Sequence, residues 1–91
     1  MAVYVDDARH SLGRMIMCHM IADTHAELIE MADKIGVQRR WIQDEGGRNE
    51  HFDICLNKRL VAVSSGAVEV TQREIARRAL ARRAGYEKEE A

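Results

Sequence analysis

Proline is absent from the 91 residues, aromatic side chains make up 4%, and cysteine occurs twice. Without proline the chain lacks its strongest punctuation, so element ends are read from glycines and capping residues. Cys18 and Cys55 form no CxxC pair, and the expectation is two buried thiols in a reducing compartment. No apolar run approaches the roughly 20 residues that cross a bilayer, and no basic-then-apolar leader opens the sequence. A cytoplasmic protein away from membranes is expected. Excess charge of one sign is also missing: 14 Lys+Arg against 15 Asp+Glu leave a formal charge of −1, which speaks against a polyanion binder. The phosphate loop GxxxxGKS/T, the GxGxxG fingerprint, the GxSxG elbow, HExxH and paired CxxC do not occur, which excludes the common large catalytic classes.

What is present describes one small globular unit. Hydrophobic residues at 46% and charged residues at 32% suit a packed domain, and 91 residues leave room for a single core. Ala2-Val3-Tyr4-Val5 predicts a first strand ending at Asp6-Asp7, and the apolar run 14–21 a second, mostly buried one. Thr24-His25-Ala26-Glu27 is a capping box followed by Leu28, Met31, Ala32 and Ile35 at helical spacing, with Gly36 as a left-handed stop. Residues 37–43 predict a third strand, and residues 44–50 an exposed, mobile loop. A short helix capped by Asn57 runs to Gly66, Val68-Glu69-Val70 is a fourth strand, and Thr71-Gln72-Arg73-Glu74 opens a last helix that frays near Gly85. The expectation is a single α/β domain over residues 1–86, with about four strands in a mixed sheet and three helices, followed by a disordered acidic tail at 87–91. So thin a core makes a homodimer the expected assembly.

Several positions carry candidate chemistry. Lys58 and Arg59 follow Asn57 at a helix start, where cations oppose the macrodipole and an anion would favour them. His51-Phe52-Asp53 puts an imidazole and a carboxylate on one side of an extended segment, able to orient a ligand, exchange protons or bind metal. His19 interrupts the apolar second strand, Arg14 follows Gly13 in a polar segment, and Trp41 offers a stacking surface next to Gln43. Asp6 and Asp7 end the first strand, where open α/β sheets place ligand-binding groups. The four histidines, His10, His19, His25 and His51, match no tight metal-ligand spacing, although Asp6 or Asp53 with a histidine could hold a divalent ion.

Tyr4-Val5-Asp6-Asp7, Gly13-Arg14-Met15-x-Met17-x-His19-Met20-x-Ala22-Asp23, Ile35-Gly36, Trp41-x-Gln43, His51-Phe52-Asp53, Lys58-Arg59 and Gly66-Ala67-Val68-Glu69-Val70 form one pattern. Over about residues 3–74 it resembles a family of small phage and bacterial proteins, the domain of unknown function numbered four thousand and thirty-one. The resemblance implies a phage or prophage setting. It also implies that Asp6, Asp7, Arg14, His19, His51, Asp53, Lys58 and Arg59 belong together.

The first functional expectation is a protein that binds a small anionic, nucleotide-like ligand and requires no cofactor. Arg14, Lys58 and Arg59 would hold phosphate, His51 and Asp53 the sugar or base, and Trp41 would stack, with His19 lining the pocket. In a phage setting such a binder would sequester a host immune nucleotide signal in the host cytoplasm. The alternative is a metal-assisted phosphoesterase in which Asp6, Asp7 and Asp53 hold a divalent ion and His19 or His51 transfers protons. A third reading is an adaptor for nucleic acid or protein acting through Arg73, Arg77, Arg78, Arg82 and Arg83. The overall charge, the scatter of these arginines around their helix and the adjoining acidic end count against it, so nucleic acid is not the expected partner.

Overall fold

A computed structural model describes residues 2–82 of the chain as a five-stranded mixed sheet with three α-helices. The acidic tail expected at 87–91, the fraying near Gly85 and Arg83 lie outside the described residues. The central strand is β3, Met15–Ala22, the predicted apolar run. On one side it pairs antiparallel with β1, Val3–Val5, and then with β2, His10–Leu12; on the other it pairs antiparallel with β4, Phe52–Cys55. The short β5, Val68–Glu69, adds parallel to β1.

Period-2 alternation divides this sheet into two faces of different chemistry. Val3, Val5, Met20, Ala22, Phe52 and Ile54 point to one face and form the main core with Leu28, Met31, Ala32 and Ile35 of α1, His25–Ile35, and Ala62 of α2, Leu56–Ser64. Tyr4 and Ile21 point to the other face and meet Ile75 of α3, Gln72–Ala81. Below that small contact the same face carries His10, His19, His51 and Asp53.

Two helix starts behave as their sequences predict. Thr24 Oγ1 accepts from the Glu27 N–H at 3.1 Å, and Thr71 Oγ1 accepts from the Glu74 N–H at 3.1 Å. Gly36 closes α1 with φ 82°, the left-handed region that glycine adopts without strain.

Other expectations are corrected. Residues 37–43 are not a strand: Arg39–Trp41 form a 3₁₀ turn, and Gln43 alone of them makes a β-bridge, to His51. The apolar anchors Val37 and Ile42 are five residues apart and both pack on the core, a spacing that fits no strand period. Two strands escaped prediction. β2 is polar and half exposed, and β4 lies just after the stretch taken for a mobile loop. That loop stretch ends on Glu50, which is fully buried, its carboxylate 2.6 Å from His25 Nδ1 and accepting from the Gly46 N–H at 2.8 Å. Asn57 does not cap α2; the helix begins two residues earlier than that cap implies, at Leu56, with Cys55 at the cap position.

The buried Tyr4 hydroxyl donates to Asp23 at 3.1 Å, while the Arg78 guanidinium lies 4.0 Å above its ring. Burial first, and the Asp23 carboxylate second, hold the Tyr4 phenol above its ordinary value. The folded state therefore keeps this proton more tightly than the unfolded state. Its stabilising effect is complete below the unfolded tyrosine value of about 10 and is lost as pH rises through the folded value. Urea unfolding of Tyr4→Phe is expected to show a shallower alkaline loss of stability than the wild type. Phe52 is 0% exposed at the centre of the main core, and Phe52→Ala is expected to cost about 3–5 kcal/mol in the same assay. A cost under about 1 kcal/mol, the range of ordinary surface changes, would contradict this core assignment.

Candidate metal centre

The site begins with an irregularity between β1 and β2. Val5 pairs with Met20 and His10 with Met17, so four residues, 6–9, face only Cys18 and His19 across the ladder. This is an enlarged β-bulge, with Arg9 at φ 53°, and bulges of this kind re-aim side chains. The carboxylate of Asp6 fills the gap: Oδ1 accepts from the His19 N–H at 2.8 Å and the Ala8 N–H at 3.2 Å. The Asp6 N–H donates to the His19 carbonyl at 3.1 Å, and Arg59 Nε donates to the Asp6 carbonyl at 2.7 Å. Asp6 is 0% exposed, and every polar atom it has is engaged.

Its remaining oxygen, Oδ2, lies 2.7 Å from His19 Nδ1. A carboxylate only accepts, so this contact places the His19 proton on Nδ1 and turns the Nε2 lone pair outward. The same logic fixes His51, whose Nδ1 is 2.6 Å from the Asn49 carbonyl and must donate to it. Both Nε2 atoms then face one oxygen, Asp53 Oδ1, at 3.8 Å from His19 and 3.4 Å from His51. His10 Nε2 approaches the same oxygen at 3.9 Å, and the His10 and His19 rings stack with centroids 5.1 Å apart. Gln43 Nε2 donates to the other oxygen, Asp53 Oδ2, at 2.8 Å and holds the carboxylate in place.

One donor atom each from His10, His19 and Asp53 lie within 4.8 Å of one another. His10 Nε2 and Asp53 Oδ1 are buried and make no hydrogen bond among the described residues. The Nε2 atoms of His19 and His51 and the oxygen of Asp53 are inward-facing acceptors, an arrangement that suits a cation. The Asp6–His19 contact is the carboxylate–histidine arrangement that orients imidazole ligands in metal sites, and the Asn49 carbonyl does the same for His51.

Of the residues singled out from sequence, the structure brings together His19, His51 and Asp53, with Asp6 behind His19. His51 and Asp53 do share a side, with Phe52 opposite in the core. Asp7 is elsewhere, its Oδ1 accepting from the Gln72 N–H at the start of α3. The cations are not gathered around the cluster. Arg14 lies in the exposed two-residue turn between β2 and β3. Lys58 reaches across to the end of α1, where its Nζ lies 3.1 Å from the position a Cβ on Gly36 would take. Arg59 is spent on the Asp6 carbonyl and on Glu69 at 3.0 Å. Arg59 thus has a carbonyl and an acidic partner that offset its unfavourable place in the first turn of α2. Trp41 is 59% exposed, with Arg40 4.9 Å over its ring.

Sequence reasoning missed His10 and Gln43 as members of the site. His10 lies nine residues before His19, and only the bulge brings their rings into contact. On α3, Arg77 and Arg78 pair with Glu74 at 2.9 and 3.0 Å, and Arg82 donates to the carbonyls of Ala22, Arg48 and Glu50. These three arginines serve the fold.

Among the described residues, no helix is long and apolar enough to cross a membrane. A family model described as "Protein of unknown function (DUF4031)" matches residues 3–83, so the chain belongs to that family, and the match reaches past the region 3–74 that the motifs cover. No curated protein and no solved structure matches the chain.

Replacing Asp6 by Asn tests the orientation directly. The two N–H groups that Oδ1 accepts from keep the amide oxygen in place, so the new NH₂ must face His19 Nδ1 and force the proton to Nε2. Nitrogen NMR of the neutral imidazole is expected to show the Nδ1–H form in the wild type and the Nε2–H form in Asp6→Asn. The same tautomer in both proteins would refute this role for Asp6.

Proposed function

We propose that this member of the DUF4031 family is a metal-dependent hydrolase of phosphoesters, with His10, His19 and Asp53 holding one divalent ion. The observation that carries this reading is Asp53 Oδ1, a buried carboxylate oxygen with no hydrogen bond among the described residues, faced by three imidazole nitrogens at 3.4, 3.8 and 3.9 Å. The Nδ1 bonds of His19 and His51 turn their Nε2 lone pairs toward this oxygen, and lone pairs so placed repel unless a positive charge stands between them. Ligands about 2.0–2.2 Å from a tetrahedral ion are about 3.4 Å apart; the imidazole–carboxylate separations of 3.8 and 3.9 Å need to close by about half an ångström, and the donor atoms all lie within 4.8 Å of one another.

Two imidazoles and one carboxylate suit Zn²⁺ or a similar borderline ion better than Mg²⁺, which prefers all-oxygen surroundings. Three protein ligands leave a position for water, whose pKa such an ion lowers to about 7. His51, whose Nε2 is 3.4 Å from Asp53 Oδ1, would stand near such a water. With its Nδ1 proton committed to the Asn49 carbonyl, its Nε2 is free to take a proton from the water and pass one to the leaving oxygen. One carboxylate and two neutral imidazoles leave the loaded ring positively charged, which favours an anionic phosphoester and polarises its P–O bonds. Compared with the first reading of the sequence, the substrate remains anionic, while phosphate is held by the metal rather than by Arg14, Lys58 and Arg59; compared with the second, His10 and His19 take the places of Asp6 and Asp7 as ligands.

Calorimetric titration of metal-stripped protein with Zn²⁺ is expected to give one equivalent bound, and Asp53→Asn and His10→Ala are expected to abolish that binding. His51→Ala is expected to keep the zinc and lose at least about 100-fold in hydrolysis of bis(p-nitrophenyl) phosphate. Absence of stoichiometric zinc binding, or hydrolysis that survives Asp53→Asn, would overturn the proposal.

A further inference from the structure

Beside the histidine cluster a cleft of about 240 Å³ opens between α3 and the sheet. Ile21, Ile75, Ala76 and Ala79 give it an aliphatic lining, and Asn49 and Gln72 stand among its walls. His19 and His51 line it as well, so the cleft is continuous with the proposed metal position. We infer that this cleft is the seat of a nucleobase, and hence that the phosphoester hydrolysed here is a nucleotide; the inference rests on the metal-centre reading above.

Three features select that occupant. The volume falls below the 300–1,000 Å³ that enclose a whole drug-sized ligand, so the cleft holds one ring system while the phosphate stays outside, over the histidines. The lining has no Lys, Arg or carboxylate, which suits a neutral, flat, largely apolar group. The carboxamides of Asn49 and Gln72 make no hydrogen bond among the described residues; the bonds of these two residues are made by backbone groups, their N–H groups to Asp44 and Asp7 and the Asn49 carbonyl to His51. An amide offers a donor and an acceptor together, the pairing that base edges require. Ala76 and Ala79 leave the space open, and a larger side chain on that face of α3 would fill it. This seat replaces Trp41, which the sequence suggested for stacking.

The test compares 5′-AMP with ribose 5-phosphate on zinc-loaded protein by calorimetry, because the two share the phosphate and sugar and differ by the base. AMP is expected to bind at least about tenfold more tightly. Ala76→Leu, a change to a good helix former at an exposed helical position, is expected to bring the two within about twofold and to leave zinc and ribose 5-phosphate binding as in the wild type. Gln72→Ala, which fills nothing, is expected to weaken AMP alone. Zinc binding with equal affinity for the two phosphates would overturn the nucleobase seat and leave the metal centre standing. An AMP preference that survives Ala76→Leu would overturn it too, as would an equal gain for p-nitrophenyl phosphate, which has an aromatic ring without base edges. Failure to bind zinc would instead strike the metal-centre reading.

Discussion

The buried carboxylate of Asp6 is the constraint on which the other features of the site depend. A charged group at 0% exposure is costly unless its bonds are complete, and here they are, through two backbone N–H groups, the His19 imidazole and, at its own carbonyl, Arg59. Meeting those bonds dictates the bulge of residues 6–9, and the bulge in turn sets β2 at the register that stacks His10 on His19. One side chain thereby determines a strand irregularity, a histidine tautomer and the neighbour that completes the cluster. Arg59 extends the dependence into α2, tying the helix to the end of β1.

Division of labour between the two sheet faces explains why a chain this short can carry such a cluster. Stability resides on the face packed by α1 and α2, where Phe52, Met20, Leu28 and Val5 are fully buried. On the other face α3 makes a small apolar contact through Ile75 and is further tied by Arg82 to the carbonyls of Ala22, Arg48 and Glu50. That arrangement leaves the face open beyond the helix, so imidazoles and a carboxylate are displayed without disturbing the main core. The alternation of Phe52 and Ile54 inward with His51 and Asp53 outward is the local expression of this division.

Much of the fold was legible because it rests on local chemistry. Both capping boxes, the Gly36 stop, the core face of α1 and the central apolar strand follow from residues close in sequence. The α/β class follows from their order. What could not be read depends on long-range pairing. β2 carries no apolar signal because it is half exposed, and Glu50 looked like loop because its partner, His25, is distant in the chain. At the site, His51 and Asp53 were legible from their i, i+2 spacing. His19 and Asp6 were recognised as individuals, but their contact spans thirteen residues and a bulge. His10 had no sequence signal at all, since its role follows from the bulge. For Arg59, an unfavourable helix position that suggested a bound anion has partners within the chain, the Asp6 carbonyl and Glu69, that sequence spacing does not reveal.

Crystals of the protein grown with zinc and recorded at the zinc absorption edge give the most direct test of the central claim. The account predicts an anomalous peak about 2.0–2.2 Å from His10 Nε2, His19 Nε2 and an oxygen of Asp53, with Asp6 still bonded to His19 Nδ1. Fully occupied zinc held elsewhere on the protein, or a cluster closed by direct imidazole–carboxylate hydrogen bonds with no ion between them, would contradict it.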